Sequence, residues 1–392
     1  MKRSKLTTFF VGSVLALSLT ACSGGGAGTT TDTADDGATT DTTAADPADI
    51  TIGVAMPTQT SERWIADGDA VKEGLEAAGY NVNLQFANDD IPTQTQQIDQ
   101  MITQGNDLLI IASIDGTALT SQLEAAAAEG IKVISYDRLI RNSDNVDFYV
   151  TFDNYQVGVA QGTSLLEGLG IVDSSGAEVS GHPTGLNIEI FAGSADDNNA
   201  GFFYDGAMDT IQPYIDNGTL VVKSGQTDFA TTAIMRWDQA TAQKRMEDLL
   251  TSTYGGTGEG LAGVLSPFDG ISRGIITALQ SVGMGPSIEQ GLPIVTGQDA
   301  EAASVKLIQD GVQYSTIFKD TRKLAEEAVK AAEAYLEGSE PTANDTETYD
   351  NGNKVVPSFL LEVDTVNKED IKTLLIDSGY YTQEEVDSGV SN

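Results

Sequence analysis

The chain has 392 residues, 40% of them hydrophobic, and a formal net charge of −37, because 58 Asp and Glu residues outnumber 21 Lys and Arg residues. This length predicts two domains with real cores, and the charge argues against nucleic acid, whose phosphates need a basic face. One cysteine and one histidine exclude a disulfide framework and leave little for histidine-based catalysis or for Cys- and His-rich metal sites.

The first 48 residues are typical of an export signal followed by a tether. A basic start at 2–5 precedes a mostly apolar stretch at 6–19, which is too short to span a bilayer comfortably. The next residues, Leu-Thr-Ala-Cys, resemble a bacterial lipobox, in which cleavage leaves Cys22 at the N-terminus carrying lipid. We therefore predict a lipoprotein signal peptide over 1–21 and a lipidated cysteine with a flexible acidic linker over 22–48. An ordinary secretory signal with an incidental cysteine is the alternative.

From residue 50 onward, short apolar runs alternate with stretches of helical spacing. The predicted strands are 50–56, 82–87, 107–112, 131–136, 186–191, 219–223, 262–266 and 292–296. The predicted helices are 64–78, 92–103, 117–128, 200–213, 240–251 and 270–282, and a further strand–helix pair is predicted at 313–337. Strands this apolar, alternating with helices, indicate parallel sheets covered on both faces.

The pattern predicts an α/β protein with two doubly wound parallel-sheet domains. We assign 50–153 plus about 299–325 to an N-terminal lobe, and 156–297 plus about 326–362 to a C-terminal lobe. Residues 363–392 are expected to form a tail that packs on the lobes. Ligands of open α/β sheets bind at the carboxyl ends of the strands, so the polar residues that follow each strand are the site candidates.

The segments that follow the predicted strands share a polar and aromatic composition suited to a neutral sugar. They are 61–64, 136–138, 193–199, 236–237, 266–269, 297–299 and 318–320. Carboxylates accept hydrogen bonds from sugar hydroxyls, cations and amides donate to them, and the C–H face of a pyranose packs on an indole. The only two tryptophans, Trp64 and Trp237, both lie in these segments, and helix packing is the alternative role for each.

Seven strings in register between about 50 and 380 resemble the periplasmic sugar-binding proteins of ABC transporters, most closely the xylose-binding and multiple-sugar-binding branch. The strings lie at 62–64 (Glu-Arg-Trp), 136–140 (Tyr-Asp-Arg-Leu-Ile), 151–154, 193–199, 266–270 (Ser-Pro-Phe-Asp-Gly), 297–300 and 314–319. The resemblance implies the ribose-binding-protein or type I periplasmic-binding-protein fold, in which two lobes are joined by a multi-strand hinge.

The resemblance also implies a set of ligand contacts between the lobes. They are Arg63 and Trp64 as donor and stacking platform, Asp137, Arg138 and Lys319 at one hydroxyl edge, Asp197, Asn199 and Trp237 from the second lobe, and Asp299 at the hinge side. Phe268 stands where the family often has Asn, which removes one amide. Asp269 follows it as a candidate contact, or as the N-cap of a helix starting at Gly270.

Other interpretations of these residues stay open at this point. Asp137 and Arg138 are also compatible with a structural ion pair. The acidic segment 196–199 is also compatible with a helix cap or a calcium loop, although it lacks the spacing of an EF-hand. The segment 258–263 matches the dinucleotide-binding pattern but precedes a strand instead of following one, so we discount it. His182 receives no role.

These observations predict an extracytoplasmic solute-binding lipoprotein that is held on the outer face of the cell membrane through Cys22 only. We expect a monomer that captures a monosaccharide by hinge closure and delivers it to an ABC-transporter permease, without a metal, cofactor, nucleic acid or enzymatic activity. The alternatives are a secreted glycosidase-like enzyme, which needs only two carboxylates, and a sugar sensor that presents its closed form to a receptor. Xylose, fructose, glucose, galactose, arabinose and ribose differ too little for the sequence to distinguish them.

Overall fold

The structure is a computed structural model that describes residues 46–391. The strands are β1 Thr51–Met56, β2 Asn81–Phe86, β3 Leu108–Ile111, β4 Lys132–Tyr136, β5 Phe148–Phe152, β6 Leu186–Ile190, β7 Leu220–Val222, β8 Leu261–Leu265, β9 Ile294–Val295, β10 Thr316–Phe318, β11 Ser358–Leu361 and β12 Asp364–Val366. The α-helices are α1 Glu62–Ala77, α2 Ile91–Thr103, α3 Thr120–Ala128, α4 Asn154–Gly168, α5 Asn198–Asp216, α6 Phe229–Thr232, α7 Gln239–Thr253, α8 Asp269–Ser281, α9 Ala302–Gln309, α10 Thr321–Leu336 and α11 Gln383–Ser388. Short 3-10 helices occupy Pro47–Asp49, Met235–Trp237 and Ile288–Gln290, and a π-helix occupies Ile371–Ile376.

The first lobe is built on a six-stranded parallel sheet with the order β11-β5-β4-β3-β1-β2. Its central strand β3 is buried on both faces: Leu108 and Ile110 enter one core, while Leu109 and Ile111 enter the other. This two-residue alternation follows from the pleat of a strand. Helices α1 and α10 cover one face, and α2 and α3 cover the other.

The second lobe has a four-stranded parallel sheet with the order β7-β6-β8-β9. Its two faces are again covered by helices, α7 and α8 on one side and α4 and α5 on the other. Helices α4 and α5 approach closely because glycines lie between them: a Cβ at Gly158 would sit 2.1 Å from the carbonyl oxygen of Phe203. The predicted fold class, α/β with two doubly wound parallel sheets, is confirmed.

The chain returns to the first lobe after the second lobe is complete. Helix α10 packs on α1 through an apolar stripe of Leu324, Ala325, Ala328, Ala331 and Ala332. Strand β11 then adds to the edge of the first sheet by pairing with β5. The structure differs here from the expectation that 326–362 belongs to the C-terminal lobe, because the apolar face of α10 and the free edge of β5 are both found in the first lobe.

A third, smaller core holds the segments near the C-terminus. Strand β12 pairs antiparallel with β10, and Val366, Leu375 and Val386 pack with Val305 and Phe318. Helix α9 therefore contributes to this core, although we expected the whole of 299–325 in the N-terminal lobe.

The predicted signal peptide, the lipidation site Cys22 and the linker up to residue 45 lie outside the described residues. Within 46–391, the structure contains no helix long and apolar enough to cross a membrane.

Candidate functional site

A cavity of about 440 Å³ lies between the two lobes, at the carboxyl ends of their strands. Residue 137 follows β4 directly, and residues 197, 268, 299 and 319 come soon after β6, β8, β9 and β10. Ten of the eleven predicted ligand contacts line this cavity: Arg63, Trp64, Asp137, Arg138, Asp197, Asn199, Trp237, Phe268, Asp299 and Lys319. Because parallel strands end at a common edge, the segments that follow them come together from distant parts of the chain.

Arg63, in the first turn of α1, is the centre of a buried charge network. Its Nη1 and Nη2 donate to Asp137 Oδ2 and Oδ1 at 3.1 and 2.5 Å, and its Nε donates to Asp67 Oδ2 at 2.9 Å. Tyr136 Oη donates to the other oxygen of Asp67 at 2.5 Å. Asp67 lies outside the cavity lining, so it positions the guanidinium without facing a ligand.

Burial and charge act in opposite directions on the two carboxylates that hold Arg63. Burial raises the pKa of Asp67 to about 6, although the positive charge of Arg63 acts to lower it. Burial also acts to raise the pKa of Asp137, but Arg63, Lys319 and Arg138 together hold it below its ordinary value. Asp137 is therefore an ionised acceptor at neutral pH.

Two further ion pairs in the cavity have unused hydrogen-bonding capacity. Lys319 Nζ lies 2.9 Å from Asp299 Oδ1, and Arg138 Nε lies 3.2 Å from Asp197 Oδ2. Within the described residues, Asp299 Oδ1 and Arg138 Nε nevertheless have no aligned hydrogen-bond partner, although both are buried. All four side chains line the cavity, and their charged groups are of the kind that bind the hydroxyl groups of a small polar ligand.

Asp137 and Arg138, which we considered as a structural ion pair, have separate partners in the structure. Asp137 pairs with Arg63 of the first lobe, whereas Arg138 pairs with Asp197 of the second lobe. The charge of Arg138 therefore reaches across the cleft.

The start of α5 joins the lobes. Asp197 caps this helix by accepting from the backbone N–H of Asn199 at 3.0 Å, so the predicted helix-cap role applies in addition to its place in the cavity. The Asn199 amide accepts from Tyr149 Oη at 2.9 Å and donates to the carbonyl oxygen of Asp137 at 2.6 Å. Both ends of this side chain thus contact the first lobe.

Aromatic rings form much of the second-lobe wall. The Trp237 ring centroid lies 6.2 Å from that of Phe203 and 6.0 Å from that of Phe268. Trp237 also rests on Gly193, where an added Cβ would sit 2.0 Å from the indole. Trp237 Nε1 is buried without a hydrogen-bond partner among the described residues.

Trp64 packs in the core as the alternative role requires, while stacking on a sugar stays a prediction. Its side chain packs in the first-lobe core and lines the cavity. The guanidinium carbons of Arg63 and Arg138 lie 4.6 and 4.9 Å from its ring centroid, within range of cation–π attraction.

Asp269 is the one predicted contact that lies outside the cavity lining. Its Oδ1 accepts from Gln313 Nε2 at 2.8 Å, and its Oδ2 accepts from the backbone N–H of Glu301 at 2.9 Å and from Thr316 Oγ1 at 3.1 Å. Both oxygens are therefore occupied by protein groups. It is also not an N-cap, because α8 begins at Asp269 itself and Phe268 occupies the cap position.

The sequence pattern of the family described as a periplasmic binding protein domain matches residues 52–340. The chain belongs to this family. The predicted resemblance to the periplasmic sugar-binding proteins is thereby confirmed at the level of the family, and lipidation stays a prediction.

Individual members of the periplasmic binding protein family align over most of the chain. It is 52% identical to the multiple sugar-binding periplasmic receptor ChvE of Rhizobium radiobacter, over 86% of this chain and 92% of that protein. It is 35% identical to the D-xylose-binding periplasmic protein of Escherichia coli, over 88% of this chain and 94% of that protein. An ABC-transporter solute-binding protein of Clostridium phytofermentans, solved with bound β-D-glucose, superposes with a TM-score of 0.80 at 46% identity, over 86% of this chain and 99% of that chain.

Backbone strain is concentrated at the cavity of this family member. Among the described residues, eight that are not glycine have a positive φ angle, and five of these line the cavity: Asp89, Asp137, Arg236, Trp237 and Asp299. Such conformations are disfavoured for residues with a Cβ and persist where the surrounding structure holds them. These unusual backbone conformations therefore occur where the five side chains are directed toward the cavity.

Several lining residues were not among our predicted contacts. Asp89, Phe203, Arg236, Arg273 and Glu301 all line the cavity. Asp89 comes soon after β2, so its position after a strand could have identified it, and Arg236 lies in the segment 236–237 that was already among the predicted polar segments. Phe203 lies in the second turn of α5 and had no comparable signal.

Arg273 and Glu301 form an ion pair at the back of the cleft. Arg273 Nη2 lies 2.6 Å from Glu301 Oε2, and Ser61 Oγ donates to Glu301 Oε1 at 2.9 Å. Burial raises the pKa of Glu301, while Arg273 acts to lower it. This pair links α8 of the second lobe to the residue that precedes α1 of the first.

The calcium-loop interpretation of 196–199 gains no support from the structure. Within 46–391, there is no group of three or more His, Cys, Asp or Glu side chains arranged to hold a metal ion.

Proposed function

We propose that this chain captures a neutral monosaccharide, a pentose or hexose, between its lobes and delivers it to an ABC-transporter permease. The observation that carries the proposal is a cavity between the lobes that is lined both by ion pairs and by aromatic rings. Charged groups of both signs bind hydroxyls, while rings pack on the C–H face of a pyranose. Relatives named for multiple sugars and D-xylose, and a similar structure with bound β-D-glucose, support the same ligand class.

The arrangement of the contacts supports capture by hinge closure. Arg63 and Asp137 belong to the first lobe, Asp197 and Trp237 to the second, and all four line one cavity. A ligand that contacts both lobes binds the closed form more tightly than the open form and therefore stabilises it. The Asn199 contacts across the cleft would form only on closure.

A thermal-shift and calorimetry panel tests the proposed function. We expect at least one of xylose, glucose, galactose, arabinose, ribose and fructose to raise the melting temperature, because a ligand that binds only the folded state stabilises it. We expect the same sugar to reduce the radius of gyration in small-angle X-ray scattering. The absence of binding by every sugar in the panel would refute the proposal.

The proposal also holds that the bound sugar is released unchanged. Purified protein incubated with labelled monosaccharides and short glycosides should return each of them unmodified. Turnover of any one of them would favour the glycosidase-like alternative. Sugar uptake by vesicles that contain the cognate permease would separate transport from a purely sensory role, for which only binding is needed.

We further propose, from the sequence alone, that the protein acts outside the cytoplasm and is held there by lipid on Cys22. The Cys22→Ser variant should appear in the culture medium instead of the membrane fraction. Unchanged retention of this variant on cells would contradict lipid anchoring.

A further inference from the structure

The first two turns of helix α5 carry two neighbouring stripes of side chains with different surroundings. Asn199 and Phe203 are four residues apart and line the cavity. Asn198 and Phe202 are also four residues apart, but they lie outside the cavity lining. Residues at this spacing lie on one face of a helix. One rigid helix therefore presents a cavity-facing stripe and, beside it, a second stripe whose contacts are with other parts of the protein.

The Phe202 ring belongs to a helix of the second lobe but packs on the core of the first lobe. Its centroid lies 5.1 Å from that of Tyr349, and the Tyr349 centroid lies 5.1 Å from that of Tyr149 in β5. Both tyrosines are buried in the first-lobe core. Further along α5, Ala207 and Ile211 pack in the core of the second lobe. Phe202 is thus an aromatic contact from one lobe to the other.

A hydrogen bond between the lobes accompanies this ring contact. Arg141 Nη1 donates to Asn198 Oδ1. The arginine is itself fixed in the first lobe, where its backbone N–H donates to the carbonyl oxygen of Gly116 at 2.7 Å and its Nε donates to that of Asn351 at 3.3 Å. Hydrogen bonds in which one group is charged are stronger than neutral ones. The second stripe of α5 therefore has both a polar and an apolar partner in the first lobe.

Two contacts between the lobes, Phe202 with Tyr349 and Asn198 with Arg141, make up what we call the closure latch. On the basis of the proposed sugar-binding function, we propose that the closure latch sets sugar affinity from outside the cavity. Because α5 carries both stripes, the latch forms in the same closed state that surrounds the ligand, and it stabilises that state without touching the sugar. It therefore contributes the same factor to the affinity for every sugar that the closed cavity holds.

Calorimetry and stopped-flow fluorescence on the full folded chain test the latch with the sugars that the wild-type protein binds. Phe202→Ala removes the ring contact, so we expect each of these sugars to bind about tenfold more weakly and to dissociate faster. The ratio of affinities between any two sugars should stay within about twofold of the wild-type ratio, because the latch does not contact the ligand. Unchanged affinity, or a loss for some sugars only, would overturn the proposal.

Phe229→Ala is the matched control for the loss of a ring. Phe229 is partly buried, as Phe202 is, but its centroid lies 5.5 Å from that of Tyr204 within the second lobe. This variant should lose some stability and keep the sugar affinity of the wild-type protein. An equal loss of affinity in Phe229→Ala would mean that general destabilisation weakens binding, and it would contradict the latch.

Asn198→Ala tests the polar half of the latch and serves alone if Phe202→Ala does not fold. It removes the acceptor of the Arg141 hydrogen bond, and alanine is favourable in a helix. We expect every sugar to bind about fivefold more weakly, with unchanged ratios between sugars. Wild-type affinity in Asn198→Ala would overturn the latch. Absence of sugar binding by the wild-type protein would instead refute the proposed function, so the two failures are distinguishable.

Discussion

The two sides of the cavity are held in place by different interactions. On the first-lobe side, the Arg63 guanidinium is bound by two buried carboxylates, Asp67 and Asp137. On the second-lobe side, Trp237 is held by ring contacts with Phe203 and Phe268. Buried charges must be paired as the protein folds, because an unpaired one costs several kcal/mol, whereas rings carry no such penalty. Substitutions on the first-lobe side should therefore reduce stability and affinity together, and substitutions on the second-lobe side chiefly affinity.

The largest effect is expected at Arg63, whose side chain is only 5% exposed. Arg63→Ala leaves Asp67 and Asp137 without their cation and should lower the free energy of unfolding by about 3–5 kcal/mol. Sugar binding should also be lost. Urea denaturation followed by fluorescence measures the first effect, and calorimetry the second.

Lys72→Ala is the matched control for that experiment. Lys72 Nζ lies 3.8 Å from Glu76 on the exposed face of the same helix, and such pairs contribute less than about 1 kcal/mol. Equal stability of the Arg63 and Lys72 variants would remove the proposed contrast between the two sides.

The pH dependence of stability tests the buried carboxylate Asp67 on the first-lobe side of the cavity. Burial raises the pKa of Asp67 to about 6 in the folded protein, so between pH 4 and 6 the folded state binds more protons than the unfolded state. Asp67 therefore contributes a decrease of about 3 kcal/mol in the free energy of unfolding as pH rises through that interval. The Asp67→Asn variant lacks the titrating group, so denaturation at several pH values should give it a smaller decrease. An identical pH profile for the two proteins would contradict the assignment.

Trp237 tests the second-lobe side. Trp237→Ala removes the stacking surface and should weaken sugar binding about tenfold. The free energy of unfolding should change less than in Arg63→Ala, because no buried charge loses a partner. Trp237→Phe, which keeps a ring, is the control and should retain most of the affinity. A stability loss in Trp237→Ala equal to that of Arg63→Ala would contradict the comparison.

The smallest effect is expected at Arg236, at the edge of the cavity. Its side chain is 36% exposed, and its Nε lies 3.2 Å from Asp196 Oδ2. Partly exposed pairs of this kind are screened by water, so Arg236→Ala should change sugar affinity by less than about threefold. A tenfold loss in calorimetry would instead make Arg236 a principal ligand contact.

Ten of the cavity-lining residues could be predicted, because parallel strands end at a common edge and because the segments there resemble those of a known family. Asp137 follows β4 and Asp299 follows β9, and hydrophobic periodicity is sufficient to locate the ends of those strands. Asp67 was not predicted, although it lies one helical turn after Arg63. An (i, i+4) pair of this kind is ordinarily an exposed salt bridge, and only burial makes it a positioning contact.

The sequence by itself determined the α/β class with two parallel sheets, most of the strands and helices, and the residue types presented at the strand ends, although β5, α4, β11 and β12 were not predicted. Those features depend on local periodicity and on neighbours in the chain. Only the tertiary structure decided that α10 and β11 return to the first lobe, that Asp269 is bound by Gln313 and Thr316 instead of facing the cavity, and that Asn199 contacts the opposite lobe. These outcomes depend on which distant surfaces remain to be buried or hydrogen-bonded once the lobes meet, and no local pattern encodes that.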